Sequence, residues 1–510
     1  MTSGVQYKTD LKVMMDTLGA EQLNAAVSIE KLTCLGLAED SRNILPGYLF
    51  IARSGEVSDG RRYIHQAKER GALAILCEAN GLDNFSQASN CPIPLFSFKD
   101  LAQQLGGLSA DFYQNPSNDL IILGVTGTNG KTSCTQLLAR VLDKLGKKSA
   151  VMGTLGNGPV NNLQESKNTT TDAITLQSYL ANFKDTDIEL VSMEVSSHAL
   201  KQGRVNGVKF KAALFTNLTR DHLDYHGDME SYAKAKKILL TKEELEFVVI
   251  NADDAMGANF IRDKEIQAKK YTFSITPINA READNSVWTE AVSFHDSGIE
   301  AEIATPWGFI DFKTSMIGQF NLSNCLAVIT TLGALGYPIK EVADHLQTMP
   351  FVKGRMERLG GDNQPLVVVD YAHTPDALKH VLHALKPHTN HKLWCVFGCG
   401  GDRDKGKRSE MAEIAETYAD HLVFTSDNPR GETIEDIITD MLVGLTNPKQ
   451  CRVEYSREAA ITSSISEAVL GDVVLVAGKG HEKYQVIGNE KIPFSDEAVV
   501  RDALARGSWK

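Results

Sequence analysis

The sequence predicts an α/β protein of about three domains, and three observations carry that expectation. At 510 residues the chain is too long for one compact core and suits roughly three units of ~150 residues each. Residues 120–133 read as a strand, a glycine-rich turn and the start of a helix. There Leu120-Ile121-Ile122-Leu123 runs into Gly124-Val125-Thr126-Gly127-Thr128-Asn129-Gly130-Lys131-Thr132-Ser133. After Phe351, short apolar strands and helical patterns alternate, which argues for a mostly parallel sheet with helices on both faces.

The N-terminal stretch is a small α/β unit: residues 61–70 pattern as a helix, Gly71 stops it, and 72–77 form a buried strand. The polar segment 113–119, with Asn115-Pro116-Ser117-Asn118, separates it from the glycine-rich turn. Strands follow at 190–195 and 212–216, a helix at 231–240, and alternating strands over 287–314 around a turn at 296–298. A helix over 322–335 ends at Gly336. Beyond it, strands are expected at 366–369, 393–397, 422–425, 453–455 and 473–476. Helices are expected between them at 375–385, 409–418, 434–445 and 457–469. Ligands of such sheets sit beyond the carboxyl ends of the strands, where the polar motifs of this region lie.

Composition bounds the function. A chain 42% apolar and 23% charged is an ordinary globular protein. A net charge of −12 argues against nucleic-acid binding and requires a local positive site for any anionic substrate. The eight cysteines include no CxxC pair, and Cys395 and Cys399 follow a strand pattern, so buried free thiols are expected rather than zinc ligands. The first residues carry no secretory signal pattern. The longest apolar-rich stretch, 326–337, falls short of the ~20 residues that span a bilayer. A cytoplasmic protein without membrane insertion is expected.

The turn at 124–133 is an expected triphosphate site. Glycines let the backbone approach phosphate, so that N–H groups and a helix N-terminus face the anion. Lys131 supplies a point charge for the β- and γ-phosphates, and the Thr132 hydroxyl a ligand for Mg²⁺. Gly124 and Gly130 have five residues between them, where the common P-loop has four. Glu194, at a strand end beside this loop, reads as a Mg²⁺ partner. The stretch from Thr216 to Gly227 crowds Asp221, His222, Asp224 and His226 behind another strand; spacing does not choose between the two histidines. Asp402-Arg403-Asp404-Lys405-Gly406-Lys407-Arg408, after a glycine-rich strand end, reads as an anion-binding loop. In Asp427-Asn428-Pro429-Arg430 the proline fixes the backbone and the arginine fork suits a carboxylate. Ala477-Gly478-Lys479-Gly480-His481-Glu482 adds a loop whose carboxylate can receive an ammonium. A triphosphate site and a carboxylate/ammonium site on adjoining domains suggest carboxylate activation followed by amide formation.

Gly127-Thr128-Asn129-Gly130-Lys131-Thr132, Glu194-Val195-Ser196-Ser197-His198, the Thr216 to Gly227 block and Asp370-Tyr371-Ala372-His373-Thr374-Pro375 together resemble the Mur ligases, the ATP-dependent amino-acid ligases of peptidoglycan precursor synthesis. The Asp427 to Arg430 and Gly478 to Glu482 runs resemble the branch that adds meso-2,6-diaminopimelate to UDP-N-acetylmuramoyl-L-alanyl-D-glutamate. The resemblance implies a UDP-binding domain at 1–103, a central P-loop-type ATPase domain with a mostly parallel sheet at 104–349, and a Rossmann-like amino-acid-binding domain at 350–510. It implies that ATP phosphorylates the D-glutamate γ-carboxylate and that the incoming amine displaces the phosphate. It assigns Gly127, Thr128, Asn129, Gly130, Lys131, Thr132, Ser133, Asn321, Asn324, Arg355 and Asp370 to ATP. Thr132 and Glu194 are implied ligands of one Mg²⁺, and His222 of a second. Lys236 is implied to carry a CO₂-derived carbamate that binds metal; Lys131, Glu194, His222 and Lys236 form the implied catalytic group. Ser41 is matched to uridine, and Asn168, Thr169, Thr170, Ser196, Gln202 and Arg204 to the sugar–peptide part. Arg403, Asp427, Asn428, Pro429, Arg430, Gly478 and Glu482 are matched to diaminopimelate. A monomer is expected, with the C-terminal domain closing about a hinge at 348–353. The rivals are a lysine-adding or folylpolyglutamate synthase-like ligase of the same superfamily and, from another class, a nucleotide-switched regulatory protein. The Asp427 to Arg430 run counts against the lysine-adding ligase, and the Asn168 to Thr170 run against the folylpolyglutamate type.

Overall fold

The computed structural model describes residues 6–24, 27–55, 58–81, 91–166, 168–277, 285–295, 298–349, 354–361 and 363–507. Most of the expected turn at 296–298 and of the expected hinge at 348–353 lies outside them. Among the described residues, three large sheets follow one another along the chain. No described helix is long and apolar enough to cross a membrane.

The first sheet has five strands in the order Glu21–Gln22, Leu95–Phe98, Ala74–Glu78, Tyr48–Ala52, Gly36–Ala38, parallel except at the first pairing. Ala74–Glu78 is buried on both faces, as inner strands of parallel sheets are. Helix Leu101–Phe112 covers one face with Leu101, Leu105, Leu108 and Phe112, a stripe with helical spacing.

The second sheet has ten strands. Ile121–Thr126 lies between Leu190–Glu194 and Ala212–Phe215, parallel to both, so the segments leaving these three strands meet at one edge. The strands expected over 287–314 are Ser286–His295, Gly298–Thr305 and Gly308–Thr314. They continue the same sheet beyond Lys269–Ser274, the first paired parallel and the others antiparallel. Helix Gln319–Ala334 packs beneath this sheet with its central residues wholly buried.

The third sheet has the order Glu357–Gly360, Leu366–Asp370, Val473–Ala477, Leu393–Phe397, His421–Phe424, Cys451–Val453, parallel except for its first strand. Its helices begin where polar caps start them. Thr374 caps Pro375–Leu385 through the Ala377 N–H, with Pro375 preset for the first turn. Ser456 caps Arg457–Glu467 in the same way. The strand expected at 453–455 forms two residues earlier, and hairpin Tyr484–Ile487/Glu490–Pro493 and helix Asp496–Arg506 complete the unit. All eight cysteines are free and seven are buried, and burial pushes the Cys399 thiol up to about 12.

Arg457 and Asp496 form an ion pair with both side chains fully buried, closing at 2.7 Å. The guanidinium also donates to the carbonyls of Ser426 at 3.1 Å and Ala477 at 2.9 Å, the two points where polar loops leave the sheet. Arg457→Met should lower the stability of this unit by about 3–5 kcal/mol, because it strands a buried carboxylate. Urea unfolding monitored at Trp394 is the measurement, and an unshifted midpoint would show the pair to be dispensable.

Candidate active site

The glycine-rich turn is shaped by what presses on it. Gly124 lies inside strand Ile121–Thr126, and a Cβ there would meet the Phe210 ring at 2.9 Å. It is therefore a packing glycine, and the loop proper is residues 127–130. At Gly127 φ is 152° and a Cβ would fall 1.9 Å from Thr216 Oγ1. At Gly130 φ is 84° and a Cβ would fall 2.7 Å from Asn324 Oδ1. Only glycine fits either position.

The segment after Ala212–Phe215 braces this loop. Thr216 Oγ1 donates to the Asn129 carbonyl at 2.6 Å, and the N–H groups of Thr128 and Asn129 donate to Asn217 at 2.9 Å each. Those two N–H groups are thus spent internally. The N–H groups of residues 130–133, opening helix Lys131–Lys144, have no acceptor among the described residues. The anion-facing end of the loop is therefore the helix N-terminus.

Three of the expected charged side chains converge here. Lys131 Nζ donates to the carbonyls of Gly127 at 2.9 Å and Thr128 at 2.8 Å. Lys236, 1% exposed, donates to the same Gly127 oxygen at 2.7 Å. Burial and the Lys131 charge push the Lys236 amine well below the ordinary lysine range. Burial lowers Lys131 as well, opposed by Glu194 and Asp221. Glu194, 1% exposed, accepts from Thr132 Oγ1 at 3.0 Å and from the Thr154 N–H at 2.8 Å. Gly153 makes room for it, since a Cβ there would meet Glu194 Oε1. Sequence reasoning missed Thr154 and Gly153, which carry no motif of their own.

From the third sheet, Arg355 Nη2 reaches Thr132 Oγ1 at 3.4 Å. Asp370, at the end of Leu366–Asp370, accepts the Met356 and Ala372 N–H groups at 2.7 Å each, and burial raises its carboxyl. Asp370 thereby fixes the turn that carries Arg355. Asn324 abuts Gly130, whereas Asn321 donates to the Ile317 carbonyl, just ahead of its own helix, at 2.8 Å. Ser133 is buried in the first turn of its helix.

The two histidines lie in different surroundings. His226 is 6% exposed, stacks on Tyr232 and lies 2.9 Å from Ser197 Oγ; burial pushes it down to about 4. His222 instead lines a cavity of about 430 Å³, beside Asp221 at 3.2 Å. The same cavity is lined from the third sheet by Arg403, Asp427, Arg430 and Glu482. Asp221, from the same crowded stretch, faces both Lys131 and His373 electrostatically.

The polar loops of the third sheet are tightly held. Arg430 has φ 50°, a conformation costing about 1–3 kcal/mol in a non-glycine residue. Two backbone bonds to the hairpin hold it there: its N–H to the Val486 carbonyl at 3.0 Å, and the Gly488 N–H to its own carbonyl at 2.8 Å. Its Nη1 donates to the Gly401 carbonyl at 2.9 Å, leaving Nε and Nη2 unused among the described residues. Asn428 Nδ2 donates to Glu482 Oε2 at 2.9 Å. At Gly478, φ is 115° and a Cβ would fall 2.6 Å from Asp427 Oδ2. The Pro429 carbonyl passes so close that a Cβ on Gly401 would clash with it. Arg403 is exposed and donates to the Asp402 carbonyl.

A third group joins Thr170, Ser196, Gln202 and Arg204. Arg204 donates to Gln202 Oε1 at 2.8 Å and to the Thr170 carbonyl at 3.0 Å, and Thr170 Oγ1 accepts the Ser196 N–H at 3.0 Å. Thr169 is linked to Glu194 through Thr154, while Asn168 is exposed. Ser41 stays apart, in the first sheet's unit, 2.6 Å from Gln66 Oε1. Nearby, an ion pair between Glu39 and Arg53 faces Arg204.

With the geometry in place, three family models match: "Mur ligase family, catalytic domain" over residues 35–113, "Mur ligase middle domain" over 125–332, and "Mur ligase, glutamate ligase domain" over 354–480. The chain is similar to the UDP-N-acetylmuramoyl-L-alanyl-D-glutamate–2,6-diaminopimelate ligase of Chromobacterium violaceum, 45% identical over 91% of this chain and 93% of that protein. It is 46% identical to the ligase of that name from Pseudomonas aeruginosa, over 93% and 95% of the two chains. A solved structure of a ligase of that name superposes with a TM-score of 0.67 at 34% identity, covering 95% of this chain and 99% of that one.

Replacing Gly127 by alanine should abolish nucleotide binding while leaving the fold intact, because the added methyl displaces Thr216 from the loop. Fluorescent-nucleotide titration beside a thermal melt checks this; retained affinity would show that the loop tolerates the displacement.

Proposed function

We propose a function from one premise: this chain belongs to the Mur ligase family. It is an ATP-dependent acid–amino-acid ligase of peptidoglycan precursor synthesis, adding meso-2,6-diaminopimelate to UDP-N-acetylmuramoyl-L-alanyl-D-glutamate. One observation carries the reading. A single cleft has Asp221 and His222 on one wall and Asp427, Arg430 and Glu482 on the other, with Arg355 reaching across to the glycine-rich loop.

A carboxylate is a poor electrophile, so the γ-carboxylate of D-glutamate first attacks the γ-phosphorus of ATP and ADP departs. The amine nitrogen of diaminopimelate then bonds to the acyl carbon, and the tetrahedral intermediate collapses with loss of phosphate. In this reading the 130–133 N–H groups and Lys131 hold the triphosphate, and Arg355 adds positive charge from the opposite wall. The unused edge of Arg430 takes the distal carboxylate of diaminopimelate, and Asp427 and Glu482 face its ammonium. The chain of Thr170, Ser196, Gln202 and Arg204 orients the sugar–peptide part, with Ser41 toward uridine.

Mg²⁺ is part of the proposal. Among the described residues no cluster of three or more His, Cys, Asp or Glu is spaced to hold a metal. Thr132 and Glu194 supply two adjacent oxygens, which fits an ion that keeps water and phosphate as its other ligands. Bound there, it would neutralise phosphate charge; His222 lines the cleft where a second ion is proposed. The carbamate on Lys236 is supported by two amines sharing the Gly127 oxygen. A neutral, buried Lys236 can react with CO₂, and the product exchanges a cation for an anion beside Lys131. The division into units at 1–103, 104–349 and 350–510, a monomeric state and a cytoplasmic location belong to the same reading.

Incubation with ATP, Mg²⁺, the UDP-dipeptide and either meso-diaminopimelate or lysine is the direct test. Amide formation and phosphate release are expected only with all substrates present, and with diaminopimelate preferred. Arg430→Ala should lower kcat/KM for diaminopimelate roughly 100-fold or more while nucleotide affinity stays unchanged. Unaltered diaminopimelate kinetics in that variant would remove Arg430 from substrate recognition.

A further inference from the structure

Lys479 is wholly buried, yet no step above uses it. It follows the central strand Val473–Ala477 of the third sheet and points into the recognition loops. Its ammonium lies 2.8 Å from Glu482 Oε2, 3.0 Å from Asn428 Oδ1 and 3.6 Å from Asp427 Oδ1. Asn428 Oδ1 also accepts the Val486 N–H at 2.9 Å, and its Nδ2 donates to Glu482 Oε2 at 2.9 Å. Both polar atoms of the Asn428 amide are therefore committed, and the lysine joins the Val486 N–H and Glu482 in fixing which way that amide faces. Both bonds to Glu482 fall on Oε2, so Oε1 keeps its acceptor capacity.

The charges matter as much as the bonds. Asp427 and Glu482 alone would present two negative charges; with Lys479 between them the loops carry one, beside the guanidinium of Arg430 on the same wall of the cleft. One negative and one positive group complement an end that bears both an ammonium and a carboxylate. Two negative groups would favour an ammonium alone.

We propose that Lys479 is a positioning residue that sets the charge balance of the amino-acid pocket, so that a zwitterionic distal end is accepted over a bare ammonium. The proposal rests on the diaminopimelate-adding function and deepens it. Lys479 touches no reacting atom; it acts through Asn428 and Glu482.

The test is steady-state kinetics of the full chain as wild type, Lys479→Gln and Lys479→Met. The glutamine variant keeps a hydrogen-bond donor and removes only the charge, so it carries the test where the methionine variant fails to fold. KM for meso-diaminopimelate should rise roughly tenfold or more in the variants. KM for ATP and for the UDP-dipeptide should stay unchanged. The preference for diaminopimelate over lysine, as a ratio of kcat/KM values, should fall by a similar factor. A variant that melts lower or turns over more slowly with every KM and the preference unchanged would show a merely structural lysine and overturn the proposal. Equal rises in all three KM values would overturn it too. Wild-type protein that joins neither amino acid would instead overturn the ligase function itself.

Discussion

Two lysine amines on one backbone carbonyl is the constraint from which the rest of the site follows. Lys131 and Lys236 both meet the Gly127 oxygen, in a place reached by little water. Like charges that close in a buried site oppose each other strongly, so one amine must give up its proton or gain a counter-charge. The surroundings are arranged to the same end, with Glu194 and Asp221 facing Lys131. A loop that gathers excess positive charge and opens a helix whose first four N–H groups have no acceptor among the described residues is suited to a highly charged anion.

Much of this was legible in the chain and some was not. The strand–turn–helix at 120–133 declared itself because glycine at 127 and 130 has a backbone reason that composition reveals. The alternation after Phe351 declared itself because parallel strands are short apolar runs between capped helices. The strands Ser149–Gly153 and Lys269–Ser274 did not, since small residues in one and a charged start in the other mask the pattern until neighbours bury them. Gly124 reads as a loop glycine by spacing, yet its reason is the Phe210 ring, a contact across 86 positions, Phe210 minus Gly124, that no local window contains. His222 and His226 could not be separated from one another by spacing, because the difference between them is depth. The deepest omission was Lys479: within a motif of glycines it carries no role of its own, and only the fold shows it enclosed.

Function is divided among the units by the kind of chemistry each sheet edge can support. The central sheet brings three strand ends together around the glycine-rich loop and holds its charged groups on rigid elements. The third sheet presents its polar residues on loops, and these need bracing of their own. Arg430 stays in an unfavourable conformation because a hairpin supplies backbone partners on both sides. Charge recognition on one side and charge compensation on the other meet in a cleft that neither sheet could form alone.

The Arg457–Asp496 clamp extends this dependence to the end of the chain. Its guanidinium grips the backbone just before the Asp427 and Gly478 loops, and its counter-ion sits at the start of the last helix. Chimeras built between relatives will therefore be governed by this tether more than by the loops exchanged. A crossover placed between the recognition motifs and the terminal helix would need to inherit both halves of the clamp together.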